Sequence, residues 1–374
     1  MSGRQRIMIY RLGSLGDTIV ALPAVRFVAK VYPGAQRCML TNYSVNAKAA
    51  GMSSVLENTG LIHQYIEYPL RTRNIRAIWR LWQRIREYKP DVLVYLAEPR
   101  GRWRVLRDLI FFRLCGIRRI VGKPTSYGEG RPRQVSEGRF EFKGATLLRR
   151  LEELGSGELD EERAFSLDLT GQEIDAARAL VGGPVAGKPI LAVSIGAKVD
   201  VKDWGDDNWA SLLSQLNGRL TNWVLVMLGS TDEFARSDEL AGCWSGEAFN
   251  LCGKTSVRMS AAVLKVASLY LGHDSGPMHL AAAVGTPCVA IFSARNWPGE
   301  WFPYGDAHQV IYHSRPCQGC RLSECVERDK ECIRSISIEE VEQSVGRILG
   351  MTGYSVGQPR GSEPGGLPRV ADRQ

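Results

Sequence analysis

Short apolar runs alternate with amphipathic helical segments along the chain. Apolar residues recur at helical spacing between positions 75 and 88, whereas the runs at 7–10 and 92–95 are short and apolar throughout. Runs of the second kind predict strands buried on both faces, as in a parallel sheet covered by helices. The first half is therefore predicted to hold strands at 7–10, 37–41 and 91–95, helices at 17–32 and 75–88, and a long loop at 122–143.

The second half repeats this alternation more clearly. Strands are predicted at 190–194, 223–228, 269–272 and 287–292, with helices beginning near 206 and near 275. Two such blocks predict an α/β fold of two Rossmann-like, doubly wound domains that face each other across a cleft. We expect these domains at 1–165 and 166–350, followed by a disordered tail at 351–374 that is rich in Gly, Pro, Ser and Arg.

Composition places the chain among ordinary globular proteins. Of its 374 residues, 44% are hydrophobic and 24% are charged, which excludes collagen-like, coiled-coil and wholly disordered chains. No apolar run reaches the ~18 residues that a transmembrane helix needs, and the N-terminal residues do not resemble a secretory signal. Nine cysteines, an odd number, argue against a disulfide framework. We therefore expect a cytoplasmic protein.

The positive charge is concentrated in one part of the chain. The net charge is +8, but residues 71–150 hold 21 Lys and Arg against 7 Asp and Glu. Such a segment predicts an anionic partner, which could be nucleic acid, an anionic membrane surface or a phosphorylated substrate. The helix at 75–88 combines Trp79 and Trp82 with arginines, so it fits either a membrane interface or an ordinary helix packed on a sheet.

Five stretches could carry chemistry. Gly13 and Gly16 form a turn between the first strand and its helix, and Asp17 follows, where position alone favours a helix N-cap. In the second half, the candidates lie just after the carboxyl ends of predicted strands. Lysines there could neutralise a diphosphate, and a glutamate could bind ribose hydroxyls. The N-terminus of the helix that begins near 275 could bind phosphate. These candidates are Gly196, Lys198, Lys202, Glu233, Asp274, Ser275, Gly276 and His279.

Four cysteines form the fifth stretch. Cys317, Cys320, Cys325 and Cys332 lie within 16 residues of a chain expected to stay reduced. Thiolate ligation of zinc or iron explains such a cluster, and a set of free thiols is the alternative. The spacing matches no standard zinc signature. The segment at 317–332 has little apolar content to order it, and a bound metal can supply that order, so we predict a structural metal site.

Together these motifs resemble the heptosyltransferases, the ADP-heptose:lipopolysaccharide type of inverting glycosyltransferase with a GT-B fold. The most specific match is the segment at 274–283, Asp-Ser-Gly-Pro-Met-His-Leu-Ala-Ala-Ala. The other two matching motifs are Arg-Leu-Gly-Ser-Leu-Gly-Asp at 11–17 and Lys-Asp-Trp at 202–204. The resemblance covers roughly residues 6–350.

The resemblance implies a role for each candidate. Asp17 looks like the catalytic base, and Lys202 looks like the residue that neutralises the donor diphosphate. Ser275 and Gly276 look like the phosphate cradle, and Glu233 looks like the ribose contact. It also implies an N-terminal acceptor domain, a C-terminal nucleotide-sugar domain and no cofactor for catalysis.

Two departures leave the acceptor open. The segment at 98–102, with Arg100 and Arg102, stands where relatives tend to carry an Asp-x-x-Gly-like segment, and it suits an anionic or phosphorylated glycan. Four-cysteine segments occur in family members that glycosylate proteins, so a protein or a small molecule is the alternative acceptor. Two other functions are less favoured. An NAD-dependent enzyme would need a Gly-x-Gly-x-x-Gly motif, which the chain lacks. A nucleic-acid-binding protein would leave Asp17 and Lys202 without roles.

Overall fold

The computed structural model describes two parallel sheets, one in each half of the chain. The description covers residues 4–42, 51–70, 72, 74–98, 101–124, 130–161, 163–182 and 187–350. The predicted tail at 351–374 lies outside these residues. Within them, no helix combines the length and the apolar character needed to cross a membrane.

The first sheet has five strands in the order β3-β2-β1-β4-β5. All its strand pairs are parallel, and Ile7–Tyr10 of the central strand is buried, as apolar runs without polar alternation require. Its elements are β1 (Arg6–Tyr10), α1 (Leu15–Val31), β2 (Gln36–Thr41), α2 (Met52–Leu56), β3 (Gln64–Glu67), α3 (Ile75–Tyr88), β4 (Val92–Tyr95), α4 (Arg102–Leu114) and β5 (Arg119–Val121).

The segment at 122–143 corrects the prediction of a long loop. It contains a two-stranded antiparallel hairpin of β6 (Gln134–Ser136) and β7 (Arg139–Phe140), followed by helix α5 (Lys143–Arg149). The hairpin strands are too short to show an apolar period, and a contact distant in sequence supports them. The backbone N–H of Phe140 donates to the carbonyl of Pro298 at 2.7 Å.

The second sheet has six parallel strands in the order β10-β9-β8-β11-β12-β13, which is the Rossmann order 3-2-1-4-5-6. Its elements are α6 (Gly171–Gly182), β8 (Ile190–Ser194), α7 (Asp206–Arg219), β9 (Val224–Met227), α8 (Phe234–Ala241), β10 (Ala248–Asn250), α9 (Val257–Val266), β11 (Leu269–His273), α10 (Gly276–Ala283), β12 (Cys288–Phe292), β13 (Gln309–Tyr312), α11 (Glu331–Arg334) and α12 (Ile338–Leu349). The predicted α/β architecture with two doubly wound sheets is confirmed.

Each sheet has one point where the strand order reverses, between β1 and β4 in the first and between β8 and β11 in the second. Ligands of open α/β sheets bind in the crevice outside the carboxyl ends of the strands at such points. Asp17 follows β1, Glu98 follows β4, Gly196 follows β8 and Asp274 follows β11. The topology therefore brings the candidate residues of both halves to the two reversal points.

Helices α1 and α10 pack against each other and hold the two halves together. Their N-terminal ends meet closely, because a Cβ atom at Gly16 would lie 3.0 Å from the His279 ring. A Cβ at Gly276 would lie 2.8 Å from the Leu15 side chain. Only glycines permit this approach, and a single buried apolar cluster continues from α1 into α10.

Candidate active site

Asp17 stands in the first turn of α1, a quarter exposed. Its Oδ2 accepts hydrogen bonds from the Ser14 backbone N–H at 2.9 Å and from the Ser14 hydroxyl at 3.0 Å. The helix begins at Leu15 with Ser14 as its N-cap, so the prediction that Asp17 is the N-cap is wrong: Asp17 is the third helical residue, and its carboxylate closes a capping box with Ser14. The capping box uses one carboxylate oxygen, and Oδ1 faces the guanidinium of Arg11 at 3.4 Å.

Arg11 lies fully buried behind Asp17, at the carboxyl end of β1. Its Nη2 also donates to the Asp17 carbonyl at 3.1 Å, and its Nη1 donates to the Leu96 carbonyl at 2.9 Å. Nη1 also contacts Glu98 Oε1 at 3.2 Å. Arg11 thus ties the end of β4 to the first turn of α1, and fixes Asp17 relative to the first sheet.

Glu98 connects Arg11 to a buried lysine. The Lys143 ammonium lies 2.9 Å from Glu98 Oε2 and 4.0 Å from Glu300 Oε1 of the second half. Burial by itself raises the pKa of Glu98, but the positive charges of Lys143 and Arg11 outweigh it and hold that pKa at about 2. Burial raises the pKa of Glu300, which lies against the same ammonium. Lys143 is thus a buried cation between carboxyl groups of the two halves.

In the second half, Lys202 and Asp274 form a nearly buried ion pair. The Lys202 Nζ lies 2.6 Å from Asp274 Oδ2 and donates to the Asp274 carbonyl at 2.9 Å. The Asn296 amide donates to the same Oδ2 at 3.3 Å. The predicted Lys202 loop and the predicted 274–283 segment are therefore in direct contact, at the N-terminus of α10.

His279, in the first turn of α10, lies among the charges of both halves. Its pKa is lowered to about 4, mainly by burial; Lys202 also lowers this pKa, while Asp274 and Asp17 oppose the change. The imidazole is therefore neutral at neutral pH. Gly16, the neighbour of Asp17 in the chain, lies against this buried ring, so the structure brings the first turn of α1 to the end of α10 where Lys202 pairs with Asp274.

Ser275 caps α10, and Gly276 begins the helix. The side-chain hydroxyl of Ser275 is buried, and Pro277 occupies the first turn without removing a helical hydrogen bond. The free N–H groups of this turn make a site with positive potential, next to the Lys202 ammonium. The geometry therefore suits an anion such as a diphosphate.

Glu233 packs its carboxylate against two glycines at the ends of neighbouring strands. A Cβ at Gly196 would lie 1.9 Å from Glu233 Oε1, and a Cβ at Gly229 would lie 2.4 Å from Oε2. Oε2 accepts from the Ser230 backbone N–H at 2.7 Å. Gly196 and Glu233, both predicted as site residues, are thus in contact at the carboxyl end of the second sheet. Lys198, two residues after Gly196, is exposed.

The two predicted acceptor arginines are less constrained. Arg100 lies outside the described residues. Arg102 is the first residue of α4 and is exposed. No hydrogen bond or ion pair within the described segments joins it to Asp17 or Glu98, so its role stays a prediction.

The four cysteines lie in one neighbourhood. Burial raises the pKa of Cys332, and the other three thiols raise it further, which places them within electrostatic reach. Across the described part of the chain, no group of three or more His, Cys, Asp or Glu side chains is arranged to hold a metal ion. The thiols are therefore near one another but not in coordinating geometry.

The cysteine segment packs beside the loop at 198–204, which carries Lys202. The Val201 backbone N–H donates to the Ser323 carbonyl at 3.2 Å, and Lys330 pairs with Asp200 at 2.9 Å. Arg321 lies 3.3 Å from Glu300. Contacts distant in sequence therefore order this segment, although it has little apolar content of its own.

The profile of glycosyltransferase family 9 (heptosyltransferase) matches residues 143–330, just over half of the chain. The matched part includes Lys202, Glu233 and the whole 274–283 segment. The chain belongs to this family.

Two relatives show how far the similarity extends. The lipopolysaccharide heptosyltransferase 1 of Pseudomonas aeruginosa is 25% identical over 350 residues, 87% of this chain and 89% of the relative. The lipopolysaccharide heptosyltransferase 3 of Escherichia coli is 30% identical over 149 residues, 40% of this chain. In that second match, the chain spans less than half (43%) of the relative's length.

Solved structures share the fold. The family 9 glycosyl transferase of Veillonella parvula has a TM-score of 0.70 at 18% identity, covering 93% of this chain and 98% of that one. Escherichia coli heptosyltransferase WaaC, solved with ADP-2-deoxy-2-fluoro heptose, has a TM-score of 0.62 at 16% identity, covering 92% and 99%. Iron-containing dodecameric TibC of Escherichia coli has a TM-score of 0.55 at 14% identity, covering 93% and 76%. These likenesses confirm the predicted GT-B fold.

The sequence did not reveal three residues of this family 9 site. For Arg11 the sequence did hold a clue. An arginine at the end of an apolar strand is expected to be buried, and a buried charge needs partners. Lys143 and Glu300 carried none, because each lies outside the motifs and gains its partner only in the folded chain.

Replacing Glu98 tests the buried charge network. We expect Glu98→Gln to lower the free energy of unfolding by about 2 kcal/mol near neutral pH, because Lys143 and Arg11 lose a shared carboxylate. A carboxylate with a depressed pKa stabilises the fold above its unfolded pKa of about 4.3, and this contribution is lost as pH falls toward the folded value. More than half of the difference should therefore disappear by about pH 3 in urea titrations.

Glu137→Gln, which changes an exposed acid in the β6–β7 turn, is the matched control and should show no such pH dependence. A stability difference for Glu98→Gln that stays constant down to about pH 3 would contradict the depressed pKa.

Proposed function

We propose that the chain transfers a heptose, or a related sugar, from a nucleoside diphosphate sugar to a hydroxyl group of a glycan acceptor. ADP-heptose is the proposed donor, and the lipopolysaccharide core is the proposed acceptor. The observation that carries the proposal is the close packing of the N-terminal ends of α1 and α10, which brings the turn bearing Asp17 to the end of α10 where Lys202 pairs with Asp274. The names of the relatives and the ADP-sugar in WaaC agree with this choice.

The second domain, 166–350, would bind the donor. The diphosphate would lie at the first turn of α10, against Ser275, Gly276 and His279. Lys202 would exchange its contact with Asp274 for the phosphate oxygens, where an ammonium can balance charge without a divalent metal. Glu233 would accept hydrogen bonds from the ribose hydroxyls beside Gly196, with Lys198 at the outer edge.

Asp17 would act as the general base. It takes the proton of the acceptor hydroxyl as that oxygen bonds to the anomeric carbon from the face opposite the nucleotide. The bond from the anomeric carbon to the diphosphate breaks, and its electron pair stays on the leaving nucleotide. Lys202 and the α10 N-terminus stabilise the charge that develops there. One displacement inverts the configuration.

The first domain, 1–165, would bind the acceptor. Arg100 and Arg102 would meet anionic groups of a phosphorylated glycan, and a protein or a small molecule is the alternative acceptor. We place the reaction in the cytoplasm, with peripheral contact to an anionic membrane. Nine cysteines without a disulfide among the described residues support this location.

Asp17→Asn isolates the proposed base. The amide oxygen can still accept from Ser14, so the N-cap is kept, but the group can no longer take a proton. We expect turnover with ADP-heptose and a lipopolysaccharide-core acceptor to fall by ~10²–10⁴-fold. Thermal stabilisation by ADP should stay at the parent level, ~2.7 kcal/mol at 100 times the dissociation constant.

Asp207→Asn removes a comparable acid from the first turn of α7 and serves as the control. If turnover of Asp17→Asn stays within about threefold of the parent, Asp17 is only a helix cap. If ADP fails to stabilise even the parent chain, the donor proposal is wrong.

We also propose that Cys317, Cys320, Cys325 and Cys332 hold one zinc or iron ion with a structural role. Four thiolates form a donor set that suits either metal. Burial raises the pKa of the Cys332 thiol, and a coordinated cation would lower that pKa and favour the thiolate. The iron reported for TibC agrees with the proposal. A bound metal would fix the cysteine segment against the loop at 198–204, which carries Lys202.

Elemental analysis of protein purified without added metal tests this site. We expect about one zinc or iron per chain, lost in Cys317→Ser and Cys325→Ser, because removing one of four ligands opens a closed site. Cys243→Ser, at a half-buried cysteine outside the segment, is the matched control and should keep the metal. Metal-free parent protein with full activity would contradict the proposal.

A further inference from the structure

Helix α4 is apolar on two opposite faces. Val105 and Phe112 are buried against the sheet. Trp103, Leu106 and Ile110 recur at spacings of three and four residues, which at 3.6 residues per turn places them on the side facing away from the sheet. They are 84%, 47% and 52% exposed, so this second face has no covering in the described chain.

Helix α3 extends this uncovered face. Ile75 is 81% exposed and Trp79 is 54% exposed. Both residues lie next to the side of α3 that packs against the sheet. Trp79 stacks on Trp82 at 4.6 Å between ring centroids, and the Trp82 indole N–H donates to the Leu114 carbonyl of α4 at 3.1 Å. The two helices are therefore neighbours.

We call their exposed apolar residues the α3–α4 surface. The surface contains seven of the eleven large hydrophobic residues that are exposed in the described part of the chain. Single exposed hydrophobic residues are ordinary, but a cluster on two adjacent helices indicates an interaction site. Its members are Ile75, Ile78, Trp79, Trp103, Leu106, Ile110 and Leu114.

Basic residues surround this surface. Helices α3 and α4 carry eight arginines against one glutamate and one aspartate, and that aspartate, Asp108, is buried and paired with Arg107. Trp residues prefer the headgroup level of a bilayer, and arginines pair with lipid phosphates. A second copy of this chain would bring like charges together, and a nucleic acid offers no apolar phase for leucine and isoleucine.

We infer that the α3–α4 surface docks the enzyme on an anionic lipid bilayer, with Trp103, Leu106 and Ile110 entering the interface. This inference deepens the proposed function and rests on it, because the proposed acceptor would be anchored in the same membrane by its own lipid part. Helix α4 begins four residues after Glu98, at the reversal point of the first sheet. Docking through α4 therefore holds the acceptor side of the cleft close to the membrane.

Vesicle sedimentation with the full chain tests the surface. We expect binding to vesicles of phosphatidylcholine mixed with phosphatidylglycerol, weak binding to phosphatidylcholine alone, and weakening by salt. Trp103→Ser combined with Ile110→Ser should reduce binding at least about tenfold, because both side chains would leave the apolar phase. Leu180→Ser, at an exposed leucine of α6, should leave binding unchanged.

Two results would overturn the inference. Equal binding of the parent and the double variant would show that the surface does not enter the bilayer. Conversion of a dimer to a monomer by the double variant in vesicle-free solution would assign the surface to a second copy. ADP stabilisation of the double variant should match the parent, and its loss in both proteins would instead contradict the donor proposal.

Discussion

The close contact between the N-terminal ends of α1 and α10 is the constraint on which the site depends. Gly16 lies against His279, and Gly276 lies against Leu15, so a side chain at either glycine would force its neighbour to shift. Each helix follows a strand at the reversal point of its own sheet. The contact therefore places a carboxylate from one half opposite the first turn of α10, the proposed diphosphate site of the other half, which is the arrangement that a transfer between two substrates needs.

Buried charges set the position of Asp17 within this arrangement. From Asp17 the contacts run through Arg11 and Glu98 to Lys143, which lies between Glu98 and Glu300. Signs alternate along this series, so each buried charge has an opposite neighbour, and breaking one pair would leave an uncompensated charge. Asp17, the proposed base, and the interface between the halves are thus parts of one electrostatic network.

The sequence predicted what depends on neighbours along the chain. Apolar strands, the turn before Asp17 and the helix start at Gly276 are local patterns, and the structure contains them. The hairpin at 134–140 and the pair of Lys143 with Glu300 depend on contacts across the domains, which no spacing encodes. The outer face of α4 was missed for another reason: apolar residues on both sides of a helix leave no amphipathic pattern to detect.

A crystal structure of the chain with bound ADP tests the central claim most directly. The account predicts the diphosphate within hydrogen-bond distance of the Ser275 and Gly276 backbone N–H groups. It also predicts that the Lys202 ammonium contacts a phosphate oxygen, having left Asp274 Oδ2, from which it now lies 2.6 Å away. ADP bound away from the first turn of α10, or a diphosphate there with Lys202 still paired only to Asp274, would contradict the account.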